Sequence, residues 1–406
     1  MNAAAAEKRN GSLRMRALRQ EDGNPGGAHD KTAAIALAVE AAGDTELTGI
    51  HSPAGARQLQ ALLADRFGQE ESLLRHAQLA RGMGSELVAS VLEAGYRNLA
   101  CAPRTAELIR NWVGDPAEAA LAMRFNAALH ALARQGRPPL LQALYRGAHQ
   151  DFDAAIAQAL TENDDFVEEA MRHPTQTNEV GRAAAFVAAL MTLASRHDYP
   201  FELLELGTSC GLNLNLDAYA YELGGVISGA QDSPVRIAPE WLGPPPVTAP
   251  FEVVSARGID LNPLDPTDVA TVERLMSFIW ANEPARLLRL EQAISIARTR
   301  RPHVERGNAA PWLAEQLRVE QPAGQWRVIF HSMVLQYFSP EDRQAVTEAI
   351  HSAGERATVD RPLAWISYEW TRDRREVQLL LTSWPDGRIH HLATCHPYGA
   401  RIEWHG

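Results

Sequence analysis

The run Phe201-Glu202-Leu203-Leu204-Glu205-Leu206, stopping on Gly207, constrains the fold of this chain more than any other feature. A short apolar segment that ends on glycine predicts a buried strand of a parallel sheet running into a tight turn. Comparable runs recur at 251–256, 326–331, 363–370, 377–384 and 390–395, and helical patterns at 266–282, 284–299 and 340–354 separate the earlier ones. Alternation of this kind predicts a mostly parallel sheet with helices on both faces.

The first half reads differently. From about residue 31 to 198 apolar side chains recur three and four apart, as in Leu87, Val88, Val91 and Leu92, or Leu121, Phe125, Leu129 and Leu132. That spacing predicts helices and no strand. Residues 1–30 mix Ala, Asn, Gly and charge, offer little to bury, and are expected to form a disordered lead. At 406 residues the chain exceeds what one core normally holds. The expected division is a helical domain over 31–198, acting as lid and substrate wall, and an α/β domain over 199–406. Residues 222–250 form an insertion, read as a hairpin of Val226-Ile227-Ser228 with Val235-Arg236-Ile237, then a Pro-rich loop.

Charge and cysteine usage narrow the partners. A formal net charge of −11 without any long block of Lys or Arg disfavours nucleic acid and leaves a small-molecule substrate as the expectation. Cys101, Cys210 and Cys395 are odd in number and far apart, which is no disulfide framework and fits a reducing compartment. No stretch reads as a secretory signal or a membrane span, so a cytoplasmic protein is expected.

The turn after the first strand carries the candidate chemistry. A nucleotide lies across the carboxyl ends of parallel strands, so the backbone there must approach it closely, and glycine permits this. Gly207 and Gly211 flank the turn, and Ser209 stands where G-x-G-x-G has its middle glycine. Pyrophosphate binding usually wants more glycine. Taken alone, Glu-Leu-Gly is also what any strand entering a turn looks like. Asp260 follows the second strand, where ribose hydroxyls need an acceptor, but it lies 55 residues after Glu205. A compact dinucleotide unit expects roughly 20, so the insertion must account for the excess.

Taken in order, these features resemble class I S-adenosylmethionine-dependent methyltransferases. Glu205 matches the acidic residue before the first glycine, Gly307-Asn308-Ala309 is similar to a Gly-Asp-Ala stretch that addresses the adenine, and the strand reaching His331 and Ser332 is similar to the one ending beside the reacting methyl. The last two strands resemble the antiparallel pair that closes that fold.

The chain also resembles a bacterial family of unknown function with a methyltransferase-like C-terminal half. The resemblance rests on Gln176-Thr177-Asn178-Glu179-Val180-Gly181-Arg182, on 206–214, on Arg257-Gly258-Ile259-Asp260-Leu261-Asn262-Pro263-Leu264-Asp265, and on Leu363-Ala364-Trp365-Ile366-Ser367, covering about residues 120–406. It implies an α/β Rossmann-like fold, class I methyltransferase-like, preceded by an all-helical N-terminal domain, with S-adenosylmethionine as cofactor. The implied cofactor contacts are Glu205, Gly207, Ser209, Gly211, Asn213, Asp260 and Asn308, and His331, Tyr337, Glu179 and Arg182 would face the acceptor.

Other readings stand beside these. Thr177 or Asn178 with Glu179 also makes a capped helix start. A histidine at a strand end is often structural, although imidazole suits proton transfer. Arg182 suits a substrate carboxylate. His390-His391 and Cys395-His396 have no zinc-site spacing, and no metal is expected. Two other functions remain open: a Rossmann-type binding module without turnover, and an NAD-dependent oxidoreductase.

Overall fold

Apolar spacing becomes helix as expected in the first half. The computed structural model describes residues 69–117 and 119–406; the lead at 1–30 and the expected helical stretch 31–68 lie outside the described residues. The helices are α1 (Ser72–Gly82), α2 (Glu86–Arg97), α3 (Pro103–Arg110), α4 (Leu121–Arg134), α5 (Pro139–Tyr145), α6 (Phe152–Arg172) and α7 (Ala183–Ala194). Side-chain caps start two of them: Ser85 accepts from Val88 N at 3.4 Å, and Asp151 from Ala154 N at 2.9 Å. Leu121, Phe125, Leu129 and Leu132 form the buried stripe of α4. Phe125 reaches α2 because Gly95 leaves it room; a Cβ at that glycine would lie 2.4 Å from the ring.

Strands follow from residue 201. β1 (Phe201–Leu206) leads to β2 (Ala220–Leu223), β3 (Val226–Gly229), β4 (Arg236–Ile237) and β5 (Glu240–Leu242). Next come β6 (Val253–Asp260), α8 (Val269–Ser277), α9 (Pro284–Thr299), β7 (His303–Arg306), α10 (Ala309–Gln316), β8 (Trp326–Ser332) and α11 (Pro340–Gly354). β9 (Leu363–Trp370), β10 (Val377–Trp384), β11 (Arg388–Cys395) and β12 (Arg401–Trp404) finish the chain.

Nine strands form one sheet in the order β5-β12-β11-β10-β9-β8-β1-β6-β7. Pairing is parallel from β7 to β9 and antiparallel through β10, β11 and β12, so the final strands run as a meander. Side chains alternate across the sheet. Leu203, Val328 and Phe330 pack with α7, α8 and α9 on one face, while Leu204, Leu206 and Ile329 pack with α10 and α11 on the other.

Two expectations are corrected. The insertion is a three-stranded sheet, β3-β2-β4, in which β3 pairs antiparallel with β2 across Gly224-Gly225 and β4 pairs in parallel on the other edge. Both glycines have positive φ, +57° and +88°, as the tightest hairpin turn requires. Pro234, without an N–H, ends the segment expected to be the turn. The second correction concerns α7, expected within the helical domain: nearly all of it is buried, and it packs in the sheet's core.

The helical layer, α1 to α6, has its own core and takes Trp280 from the segment after α8. His130 Nδ1 donates to Ser277 O at 3.0 Å, Arg134 pairs with Glu273 at 3.0 Å, and Ser85 Oγ donates to Asn282 Oδ1 at 2.7 Å. The described residues, from Gln69 onward, form one compact unit. No helix among the described residues is long and apolar enough to cross a membrane.

Candidate functional site

The sheet order reverses at β1, with β6 on one side and β8 on the other. Loops leaving two such strands diverge, and ligands of open parallel sheets bind in the crevice at that switch point. The turn after β1 is left-handed at Gly207 (φ +71°), Ser209 (+55°) and Gly211 (+76°). Glycine adopts this freely; a serine there stores about 1–2 kcal/mol. Met333, in the loop after β8, is left-handed as well (+55°). The two loops touch at Gly207, where a Cβ would lie 2.2 Å from Val334 Cγ2.

Backbone bonds hold the turn. Asp260 accepts from Ser209 N and from Asn262 N, each at 2.8 Å. Thr208 Oγ1 donates to Ile259 O at 3.1 Å, and Asn178 Oδ1 accepts from Leu212 N at 2.9 Å. Asp260 therefore organises the turn.

Three buried polar atoms here have no partner among the described residues: Glu205 Oε2, Ser209 Oγ and Asn213 Oδ1. Buried polar groups are almost always bonded, and each that is not costs about 1–3 kcal/mol. Burial pushes the Glu205 carboxyl well above the usual carboxylate range; Asp260 adds to the rise, while the Asn213 amide and Arg182 oppose it.

The segment before α7 lies alongside. Glu179, almost completely buried, accepts from Gly181 N at 3.0 Å and from Arg286 Nε and Nη2 at 2.9 and 2.6 Å. It thus caps the short 3-10 turn Val180–Arg182 and anchors a guanidinium from α9. Arg182 donates to Pro397 O at 2.9 Å and to Ser332 Oγ at 3.2 Å, tying this segment to the end of β8 and to the β11–β12 loop. The Arg286 guanidinium stacks 3.8 Å from the centre of the Tyr398 ring.

The remaining sequence-derived candidates are placed differently. His331 is fully buried and does not face an opening: Nδ1 bonds Glu369 Oε1 at 2.7 Å and Nε2 accepts from Trp365 Nε1 at 2.9 Å. Tyr337 is 66% exposed after β8, within electrostatic reach of Arg182, Arg374 and Arg124. Asn308 is exposed and serves as N-cap of α10, accepting from Ala310 N at 2.8 Å and donating to Asp342 at 3.0 Å. Arg286, Arg289 and Tyr398 escaped the sequence reading, because their partners lie far along the chain; Trp365 entered it only within the 363–367 motif, and Glu369, two strand repeats on, shares its face of β9.

A search of curated proteins returns no match. A family model described as "Uncharacterized protein conserved in bacteria (DUF2332)" matches residues 70–404, taking in the helical layer together with the sheet. The chain belongs to this uncharacterised bacterial family, DUF2332.

Proposed function

We propose that the chain is an S-adenosylmethionine-dependent methyltransferase acting on a small molecule. One observation carries the reading: the unpartnered, buried Glu205 Oε2, Ser209 Oγ and Asn213 Oδ1 cluster on one glycine turn at the switch point. All three are hydrogen-bond acceptors, and two carboxyl groups, Glu205 and Asp260, flank the turn. A nucleoside bearing an ammonium group fits such a lining, whereas a pyrophosphate wants a lining of N–H donors, which counts against NAD. The order β7-β6-β1-β8-β9 corresponds to the 3-2-1-4-5 order of nucleotide-binding sheets. That correspondence supports a Rossmann-like, class I methyltransferase-like fold.

When bound, S-adenosylmethionine supplies a methyl group on a sulfonium, an electrophile that needs in-line positioning more than acid-base help. Glu205 and Asn213 would hold the amino-acid end, Ser209 and Asp260 the ribose. Asp260 keeps lone pairs beyond the two given to backbone amides. Arg182, fixed between Pro397 and Ser332, orients the acceptor, and Tyr337 covers it from the β8 loop. The helical layer, with Arg124 within reach of Tyr337, supplies a wall that excludes water.

Calorimetric titration with S-adenosylmethionine and S-adenosylhomocysteine is the test. Micromolar binding is expected; well-folded protein that binds neither sinks the reading, and preference for NAD makes the chain an oxidoreductase. A binding module without turnover is a second reading, favoured by His331, both of whose ring nitrogens are engaged. It predicts cofactor affinity with no methyl transfer across acceptor pools.

A further inference from the structure

Guanidinium groups gather around the 178–182 segment, largely out of solvent. Arg182 is 7% exposed, and the Arg286 and Arg289 side chains 11% and 21%. Glu179 is shared between Arg286 at 2.6 Å and Arg289 at the longer 3.9 Å, and Glu283 pairs with Arg286. Arg182 is held by neutral acceptors alone, Pro397 O and Ser332 Oγ. Arg289 Nε is buried without a partner.

Contact pairing therefore leaves three guanidiniums against two carboxylates. A buried, uncompensated charge is expensive, and the cheapest remedy is a matching anion. The cluster is also rigid. A Cβ at Gly399 would lie 2.5 Å from the Gly181 carbonyl carbon, and one at Gly181 would lie 2.6 Å from Tyr398 O and 3.0 Å from Arg289 Nη1. The 178–182 segment and the β11–β12 loop are thus pressed backbone against backbone, with Arg289 directly over the residue preceding Arg182. Arg182 links this cluster to the turn, since its charge acts on Glu205 and on Tyr337 alike.

We infer that Arg182, Arg286 and Arg289 form a subsite for the carboxylate of an acidic acceptor. Within contact distance the excess is a single charge, which a carboxylate matches and a dianionic phosphate overshoots. Planar guanidiniums bind carboxylates through paired N–H bonds, and the unsatisfied Arg289 Nε is one such donor. This assignment of substrate class rests on the methyltransferase reading, although binding at the subsite is measurable without it.

Acetate, propionate and benzoate are titrated into the full chain, alone and saturated with S-adenosylhomocysteine, each against its primary amide. At least one acid is expected to bind about ten-fold more tightly than its amide, the difference a charge-assisted pair supplies. Arg289→Gln removes that preference and Arg289→Lys retains part of it, both checked for native circular dichroism. Arg289 is the residue to change because, among the described residues, its ion pair is the long one to Glu179. Acids binding no better than amides, preference surviving in a folded Arg289→Gln, or inorganic phosphate outcompeting every acid overturns the inference. S-adenosylhomocysteine binding without carboxylate preference removes the subsite and leaves the methyl-transfer reading. The converse removes the methyl-transfer reading alone.

Discussion

Trp365 donates its indole N–H to His331 Nε2 at 2.9 Å, and that one bond assigns the imidazole its tautomer. The proton must sit on Nδ1, which donates to Glu369 Oε1 at 2.7 Å. The same oxygen accepts from Val334 N at 3.0 Å, so a fully buried histidine fixes the carboxylate that fixes the β8 loop. His331→Leu leaves an indole N–H and a carboxylate under-satisfied and is expected to cost about 2–4 kcal/mol. Urea unfolding measures it; a loss under about 1 kcal/mol would show that the pair relaxes without the ring.

Gly207 and Val334 form the joint between the two loops of the switch point. With φ at +71° and Val334 Cγ2 only 2.2 Å from a Cβ, Gly207→Ala combines backbone strain with overlap and is expected to cost about 2–4 kcal/mol. Val334→Ala removes the closest overlap, at Cγ2, and leaves the strain together with a tight 2.9 Å approach to Val334 Cβ. The double variant should therefore recover about 1–2 kcal/mol relative to additivity. Additive losses would mean that the loops do not bear on each other.

Much of the sheet was legible because buried strands announce themselves by apolar runs. Leu363–Trp370 and Val377–Trp384 match their expected limits residue for residue. The short strands β5 and β12 were not, since three and four residues carry no periodicity; the Trp241–Trp404 contact, with centroids 5.4 Å apart, joins them across the chain. Two signals were present and passed over. Gly224-Gly225 is a hairpin turn by composition, and Ala183–Ala194 is apolar all round, which marks a helix buried inside a sheet layer. At the candidate site, Ser209 and Asp260 stood out by their place in the turn and after the second strand, while Glu205 and Asn213 entered through the resemblance. The Glu179–Arg286 pair, 107 residues apart, was not.

Ser209 separates strain from binding. Its φ of +55° suits glycine, so Ser209→Gly is expected to stabilise the ligand-free chain by about 1 kcal/mol. The same change deletes the buried Oγ and is expected to weaken S-adenosylhomocysteine binding several-fold. Thermal melts and calorimetry on one variant check both, and tighter binding after the change would remove Ser209 from the ligand contacts.

His130 gives the stability a pH dependence at the junction of the helical layer with α8. Burial pushes its pKa down to about 4, against the upward pull of its bond to Ser277 O. An unfolded chain takes up this proton at higher pH than the folded one, so stability is full at neutral pH and drains away as pH falls toward 4. The loss approaches about 3 kcal/mol. Unfolding curves between pH 7 and about 4 should flatten in His130→Asn; an unchanged slope would locate the dependence elsewhere.

Glu205 acts in the opposite direction. Burial favours the protonated form of its carboxyl in the ligand-free fold and outweighs the pull of the Asn213 amide and Arg182. As pH rises past the point at which an exposed glutamate ionises, the unfolded chain gives up this proton before the folded chain does. Folding then loses up to about 1.4 kcal/mol per pH unit, until the buried group ionises too. Glu205→Gln removes that penalty and should raise the melting temperature of the ligand-free protein at neutral pH. An ammonium beside Oε2 reverses the balance by favouring the charged form. Binding of S-adenosylhomocysteine should therefore release a proton, strengthen with rising pH, and lose both properties in Glu205→Gln. Calorimetry in two buffers of different ionisation enthalpy counts the proton. If none is released while the ligand binds, Glu205 is not its ammonium partner, and the unpartnered oxygen beneath the turn belongs to a different contact.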